Sequence, residues 1–210
     1  MDVYSTEQEQ IEAIKKWWSE NGKSAVFGVV LGLGAIFGWR TWQEYIIAQT
    51  EAASEIYQQS LVSASQDDRD QAREQAMRVI NDYSDTGYVV MARLVHAYVD
   101  SLDSDYDGAE EQLRLALDAT ENETIKQEIN LRLARIYITN NKLSEAMSVL
   151  ESVPHESFSS QYHELKGDIY VQQGDIVNAR QSYQQAIDDA QSTAFDTSLL
   201  NLKINSLENL

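Results

Sequence analysis

The sequence predicts an all-α protein: an N-terminal transmembrane helix, then a solenoid of helical hairpins closed by a C-terminal capping helix. Three observations lead there. The 210 residues include one proline and nine glycines, and five of those glycines fall between Gly22 and Gly38, leaving the remainder almost free of helix breakers. Sixteen consecutive residues, Ser24 to Trp39, carry no charge, and all four tryptophans flank or close that run. Further along, small and apolar residues recur at helical spacing in blocks 37 and 33 residues apart.

The uncharged run alone is short for a bilayer, about 24 Å of helix. Its flanks lengthen it. Trp17 and Trp18 precede it, Trp39 and Trp42 close it, and Trp18 to Trp42 spans about 36 Å, enough to join two interfaces around a core of roughly 30 Å. Lys23 and Arg40 can extend along their stems to the headgroups, completing an anchor interface of Trp17, Trp18, Lys23, Trp39, Arg40 and Trp42. A cleaved signal sequence fits less well, because five acids lie among the first 23 residues and Ile36–Arg40 offers no small-x-small cleavage site. Lys15, Lys16 and Lys23 precede the span and Arg40 alone closely follows it, so residues 1–23 are expected as a cytoplasmic tail. Residues 24–42 are then the transmembrane helix. Residues 43–210 lie across the membrane, in the periplasm if the cell is Gram-negative. Within the span, Gly28 and Gly32, and Gly34 and Gly38, sit four apart, the spacing that lets a second helix approach the backbone.

The net charge of −18 is concentrated after the span, where residues 49–210 hold 28 acids against 12 bases, a net of −16. Such a surface repels phosphate and argues against nucleic-acid binding. With no cysteine, disulfides, thiol nucleophiles and thiolate metal sites are excluded.

The repeat reads Tyr106-x-x-Ala109-x-x-x-Leu113-x-x-Ala116, then Leu143-x-x-Ala146-x-x-x-Leu150-x-x-Val153, then Ile176-x-x-Ala179-x-x-x-Tyr183-x-x-Ala186. Each block follows a helix bearing a tyrosine, Tyr98, Tyr137 and Tyr170, and aligning these makes the first turn two residues longer than the others. Asp107-Gly108, Asn140-Asn141 and Gly174-Asp175 are expected as the turns. The pattern resembles the tetratricopeptide repeat, a helix–turn–helix unit of about 34 residues. A weaker fourth pair comes earlier, with Ala52, Ile56 and Leu61 on one helix and Ala72, Ala76 and Val79 on the next, separated by a polar loop over Ser63–Asp70. At the other end, about Ser192–Glu208, apolar residues including Phe195, Leu199 and Leu202 suit a capping helix.

No catalytic constellation emerges, and no cofactor or metal is implied. His96, His155 and His163 are scattered, and the acid clusters lack calcium-loop spacing. Binding is the better expectation, since stacked helix pairs present a concave face. The repeat register places His96, Val99, Arg135, Ile138, Asp168 and Val171 on that face, a groove for an extended or helical peptide.

The stretches ENGKSAVFGVVLGLGAIFGWRTW (Glu20–Trp42), INLRLARIY (Ile129–Tyr137) and ELKGDIYVQQGDIVNAR (Glu164–Arg180), with the terminal LKINSL, resemble the YfgM-type family, ancillary subunits of the Sec translocon in Gram-negative bacteria. The resemblance implies a single-span inner-membrane protein associated with the translocon and with a membrane-anchored periplasmic chaperone of the PpiD type. The implied role is a non-enzymatic adaptor that hands exported polypeptides to periplasmic chaperones. It also implies an alternative role for residues 1–23, restraint of a cytoplasmic stress-response regulator.

Overall fold

A computed structural model describes residues 7–152, 158–191 and 196–207. The described residues contain nine α-helices and no strand, in two compact units, Met1–Gln49 and Thr50–Leu210. Helix α1 runs Glu7–Ser65 and contributes to both units. In the first unit its apolar side chains, Val26, Phe27, Leu31, Leu33, Ile36 and Phe37 among them, are exposed. An 18-residue window within α1 reaches a mean hydropathy of 1.5 with only 6% of it buried, which separates it from the core helix of a water-soluble protein. Trp17 tilts against Trp18, and Trp39 against Trp42, with ring centroids 6.3 and 5.2 Å apart. A Cβ added at Gly28, Gly32, Gly34 or Gly38 would meet nothing within 4 Å, so nothing in this chain fills the space those glycines leave.

In the second unit the end of α1 pairs with α2 (Arg69–Asp82), α3 (Tyr88–Leu102) with α4 (Tyr106–Asp118), α5 (Glu123–Thr139) with α6 (Leu143–Glu151), and α7 (Ser159–Gln172) with α8 (Ile176–Gln191). Helix α9, Ser198–Ser206, follows. All four hairpins turn the same way. The second residue past each first helix has positive φ: Asp67 (60°), Ser104 (62°), Asn141 (57°) and Gly174 (77°). The N–H of the next residue then reaches back five positions, Asp68 to Ser63, Asp105 to Asp100, Lys142 to Tyr137 and Asp175 to Tyr170, at 2.8–3.0 Å. These bonds satisfy carbonyls that a helix end leaves without partners. At Asp68, Asp105 and Asp175 the carboxylate also caps the following helix, accepting from the N–H three residues on.

Four residues past each of these positions stands an alanine with no exposed surface: Ala72, Ala109, Ala146 and Ala179. The absence of a larger side chain lets the two helices of a hairpin approach. Around them Leu113, Ile129, Leu131, Leu133, Leu150 and Ile169 form a continuous central core. Separate clusters sit at the ends: Ile56, Val79 and Val95 in the first, Tyr183, Ile187 and Leu200 in the last.

Three sequence expectations change. The first full hairpin has no longer turn: Asp103–Asp105 separates α3 from α4, as Asn140–Lys142 and Gln173–Asp175 separate the later pairs, and Asp107-Gly108 opens α4. Ser63–Asp70 is no loop, since only Gln66–Asp68 lies between α1 and α2. In α9 just one face is buried, through Leu200 and Leu207 with Ile204 packed beside them, while Leu199 and Leu202 are exposed; Phe195 and His155 lie outside the described residues.

Gly167 shows how tight the packing is, because an added Cβ would collide with the ring of Tyr183. Gly167→Ala is therefore expected to lower stability by about 1–3 kcal/mol, roughly 2–12 °C in melting temperature, despite alanine's higher helix propensity. Thermal unfolding followed by circular dichroism checks this, and an unchanged or raised midpoint would contradict the collision.

Candidate functional site

Counting back from the shared turns aligns the first helices without gaps in their last two turns. Leu61, Tyr98, Arg135 and Asp168 are equivalent, as are Tyr57, Leu94, Leu131 and Glu164 one turn earlier. From these registers Tyr57, Leu61, Leu94, Tyr98 and Arg135 line two adjoining cavities along the first helices, while Leu131 turns into the core. One of ≈370 Å³ lies between Tyr57, Leu61 and Ala64 of α1 and Met91, Leu94 and Tyr98 of α3. The other, of ≈260 Å³, lies between Leu94, Tyr98 and Ser101 of α3 and Glu128, Arg132 and Arg135 of α5. Leu94, Tyr98 and Arg132 border both. The result is one groove across three hairpins. Tyr98 presents half its surface to solvent there, and Leu61 nearly as much.

Of the six groove residues expected from sequence, Arg135 alone lines these cavities. Val99 is fully enclosed and Ile138 nearly so, both in the core. His96 points elsewhere, its Nε2 lying 3.6 Å from the buried carboxylate of Asp100. For His96 and Val99 the physical reason is a register slip of two residues in α3. Asp100, nine residues before Ala109, occupies the slot filled by Tyr137 and Tyr170 in later hairpins, so matching Tyr98 to those tyrosines misplaces the helix. A two-residue slip rotates a helix by about 200°, exchanging its faces. Tyr98 and Leu61, missed by the sequence reading, are found by counting back from the alanines rather than by matching tyrosines.

Asp100 is held by Arg73, whose Nε lies 3.2 Å away; Arg73 also reaches Asp103, which Arg69 meets at 3.0 Å. This network ties α2 to the end of α3. In the next hairpin, the Tyr137 hydroxyl donates to Glu110 at 2.9 Å, and Lys142 and Arg114 meet the same carboxylate at 3.1 and 3.0 Å. Burial opposes ionisation of Glu110, yet the hydrogen bonds from Tyr137, Lys142 and Arg114 outweigh it and hold its carboxyl below the ordinary range.

At the fourth hairpin the groove registers carry acids, and α9 covers them. Lys203 Nζ lies 2.8 Å from Glu164 and 2.7 Å from Asp168. Asp168 also accepts a 2.7 Å hydrogen bond from the Tyr183 hydroxyl. Burial, then that bond, pushes the Tyr183 hydroxyl far above its ordinary value, so it remains a donor. Val171, the remaining expected residue, packs against the apolar cluster shared by α8 and α9. Asp168 and Val171 therefore belong to a closed end of the groove.

The arrangement offers shape and charge for holding a chain. Among the described residues, no group of histidines, aspartates or glutamates is placed to hold a metal ion. Comparison with known proteins agrees with a repeat architecture. The tetratricopeptide repeat-like domain family matches residues 15–209. A Haemophilus influenzae protein named ancillary SecYEG translocon subunit is 34% identical over 206 residues, covering 98% of this chain and all of that protein. The chain belongs to the ancillary SecYEG translocon subunit family. An Escherichia coli K12 protein of the same name is 28% identical over 207 residues, 99% of each chain. Outside that family, a tetratricopeptide repeat protein from Parabacteroides merdae superposes with a TM-score of 0.57 at 18% identity, over 74% of this chain and 57% of that one, which shows the shared fold.

His96 gives a pH test. Burial outweighs the attraction of Asp100 and, with Arg73 and Arg93 nearby, lowers the imidazole below its ordinary 6.5. The unfolded chain then binds the proton more readily, so this group's contribution to stability falls as pH drops below about 6.5. Urea unfolding from neutral pH down to about pH 5 should show that loss, and His96→Asn should flatten it. A slope unchanged by the substitution would assign the pH response to other groups.

Proposed function

We propose that the chain is a single-pass inner-membrane adaptor of the Sec translocon, non-enzymatic, whose acidic repeat domain holds polypeptides in the groove between α1, α3 and α5. Family membership supports the Sec association. The apolar, tryptophan-flanked stretch of α1 supports the anchor, with 24–42 as its spanning part and 43–210 as the exported portion. Lys15, Lys16 and Lys23 before the span, against Arg40 after it, support a cytoplasmic N-terminus and a periplasmic repeat domain. In this reading Gly28, Gly32, Gly34 and Gly38 receive a neighbouring membrane helix, and Trp17, Trp18, Lys23, Trp39, Arg40 and Trp42 sit at the bilayer interfaces.

The observation that carries the binding role is the groove, open over three hairpins and lined by Tyr98 and Leu61. Exported polypeptides emerging from the translocon are its clients, and a membrane-anchored chaperone of the PpiD type receives them. A photo-crosslinking residue at Tyr98, in the full-length chain in native membranes, is expected to yield adducts with translocon subunits, that chaperone or exported chains. The same probe at Val177, exposed on the second-helix side of the last hairpin, is expected to yield few. Equal labelling from the two positions, or none above a span-only control, would sink the adaptor reading.

One observation favours the second role, regulation through the tail: Ile11 and Ile14 are exposed on α1 ahead of the span, beside Lys15 and Lys16. Ile11→Asp with Ile14→Asp should then alter signalling by a cytoplasmic stress-response regulator and leave export intact. Unaltered signalling rules that role out.

A further inference from the structure

The groove changes character along its length, and the order of its surfaces bears on what it selects, given the binding role proposed above. Across the first two hairpins its registers carry Tyr57, Leu61, Leu94 and Tyr98. Across the third the register of Leu61 and Tyr98 is held by Arg135, with Arg132 beside it in the cavity wall. Arg132 is already paired with Glu128 at 3.0 Å. Arg135 is exposed and makes no ion pair among the described residues. In a domain with more than two acids for every base, Arg135 stands apart: Arg93, which also meets no carboxylate, is held by Gln112 at 3.0 Å, whereas the Arg135 guanidinium has no such partner among the described residues. Beyond it, Glu164 and Asp168 are answered from within the chain by Lys203. The groove thus presents an apolar stretch, one unanswered guanidinium, and then a closed end.

We propose that the groove selects polypeptide segments that join a large apolar side chain to a carboxylate, the apolar group seated between Leu61 and Tyr98 and the carboxylate on Arg135. Neighbouring packed helices stand roughly 10 Å apart, so the two groups must be separated by about three residues of extended chain or six to seven of helix. The net charge of −16 would by itself favour basic segments, but that attraction is screened beyond about 10 Å at 0.1 M salt. Inside the groove Glu128 and Arg132 answer each other, and the charge left over, that of Arg135, is positive. A guanidinium suits a carboxylate by its paired N–H donors, and the tyrosine rings suit a bulky apolar neighbour.

The test uses the full-length chain in lipid nanodiscs and short fluorescent peptides with a Phe-x-x-Glu centre in a Gly/Ser background. Matched peptides carry Lys for Glu, or Ala for Phe. Fluorescence anisotropy should give binding roughly three- to tenfold tighter for the Glu peptide than for the Lys peptide. Replacing Phe by Ala should weaken binding. Arg135→Glu, at an exposed position that leaves the core untouched, should reverse the order of the Glu and Lys peptides, while Tyr98→Ala should weaken both alike. Equal binding of the two peptides, an unchanged order in Arg135→Glu, or no binding of either overturns the proposal. Crosslinking from Tyr98 in membranes separates the two ideas. Adducts there without peptide discrimination overturn this selectivity alone, whereas failure of both overturns the adaptor role with it.

Discussion

The close approach of paired helices at Ala72, Ala109, Ala146 and Ala179 is the constraint on which the second unit depends. Each alanine sits one turn into its helix, directly after a three-residue turn whose middle position is left-handed. The turn fixes where the chain reverses, and the alanine fixes how near the returning helix lies. Together they set the rotation of the preceding first helix, and so which side chains reach the groove and which reach the core. Three of the four left-handed positions are held by aspartate, serine and asparagine rather than glycine. Asparagine and aspartate tolerate that region best, and serine bears more strain.

Charged side chains do a second job, joining hairpin to hairpin. Arg73 with Asp100, Tyr137 with Glu110, and Lys203 with Asp168 each bridge separate helices close to a turn. These groups are mostly buried, where ion pairs are screened less than on an open surface. Their geometry contributes to register: Asp100 is 5% exposed and is oriented by Arg73, so losing either partner would leave the other poorly solvated.

The second helices were legible in the sequence because an alanine followed four residues later by another apolar residue survives in every copy: Ala76, Leu113, Leu150 and Tyr183. The first helices were less so. Their marker is a residue nine positions ahead of the alanine, and it is tyrosine in two hairpins, aspartate in one and serine in the first. Tyr98, two positions away, imitates the marker and draws the alignment off by about half a turn of helix. The same cause hid the first hairpin, where Ser63 and the polar residues after it read as a loop although Ser63 is buried and its hydroxyl bonds Gln71 and Gln75. The closed end could not be read at all from periodicity, because Lys203 meets Asp168 across 35 residues. The apolar stretch was plain from composition, since nothing in the chain competes to bury it.

The seat of Lys203 between Glu164 and Asp168 has a consequence for anyone altering the protein's end. Helix α9 is short, and among the described residues Leu200 and Ile204, with Leu207 at its end, supply the apolar contacts that hold it beside the Lys203 ion pairs. Trimming it, or straining it with a bulky fusion, would strip a cation from two carboxylates and lay bare an apolar patch beside them. What had been a stopper would become an open mouth of opposite charge to Arg135. A tag at the C-terminus is therefore no bystander, whereas one at the N-terminus leaves the stopper in place.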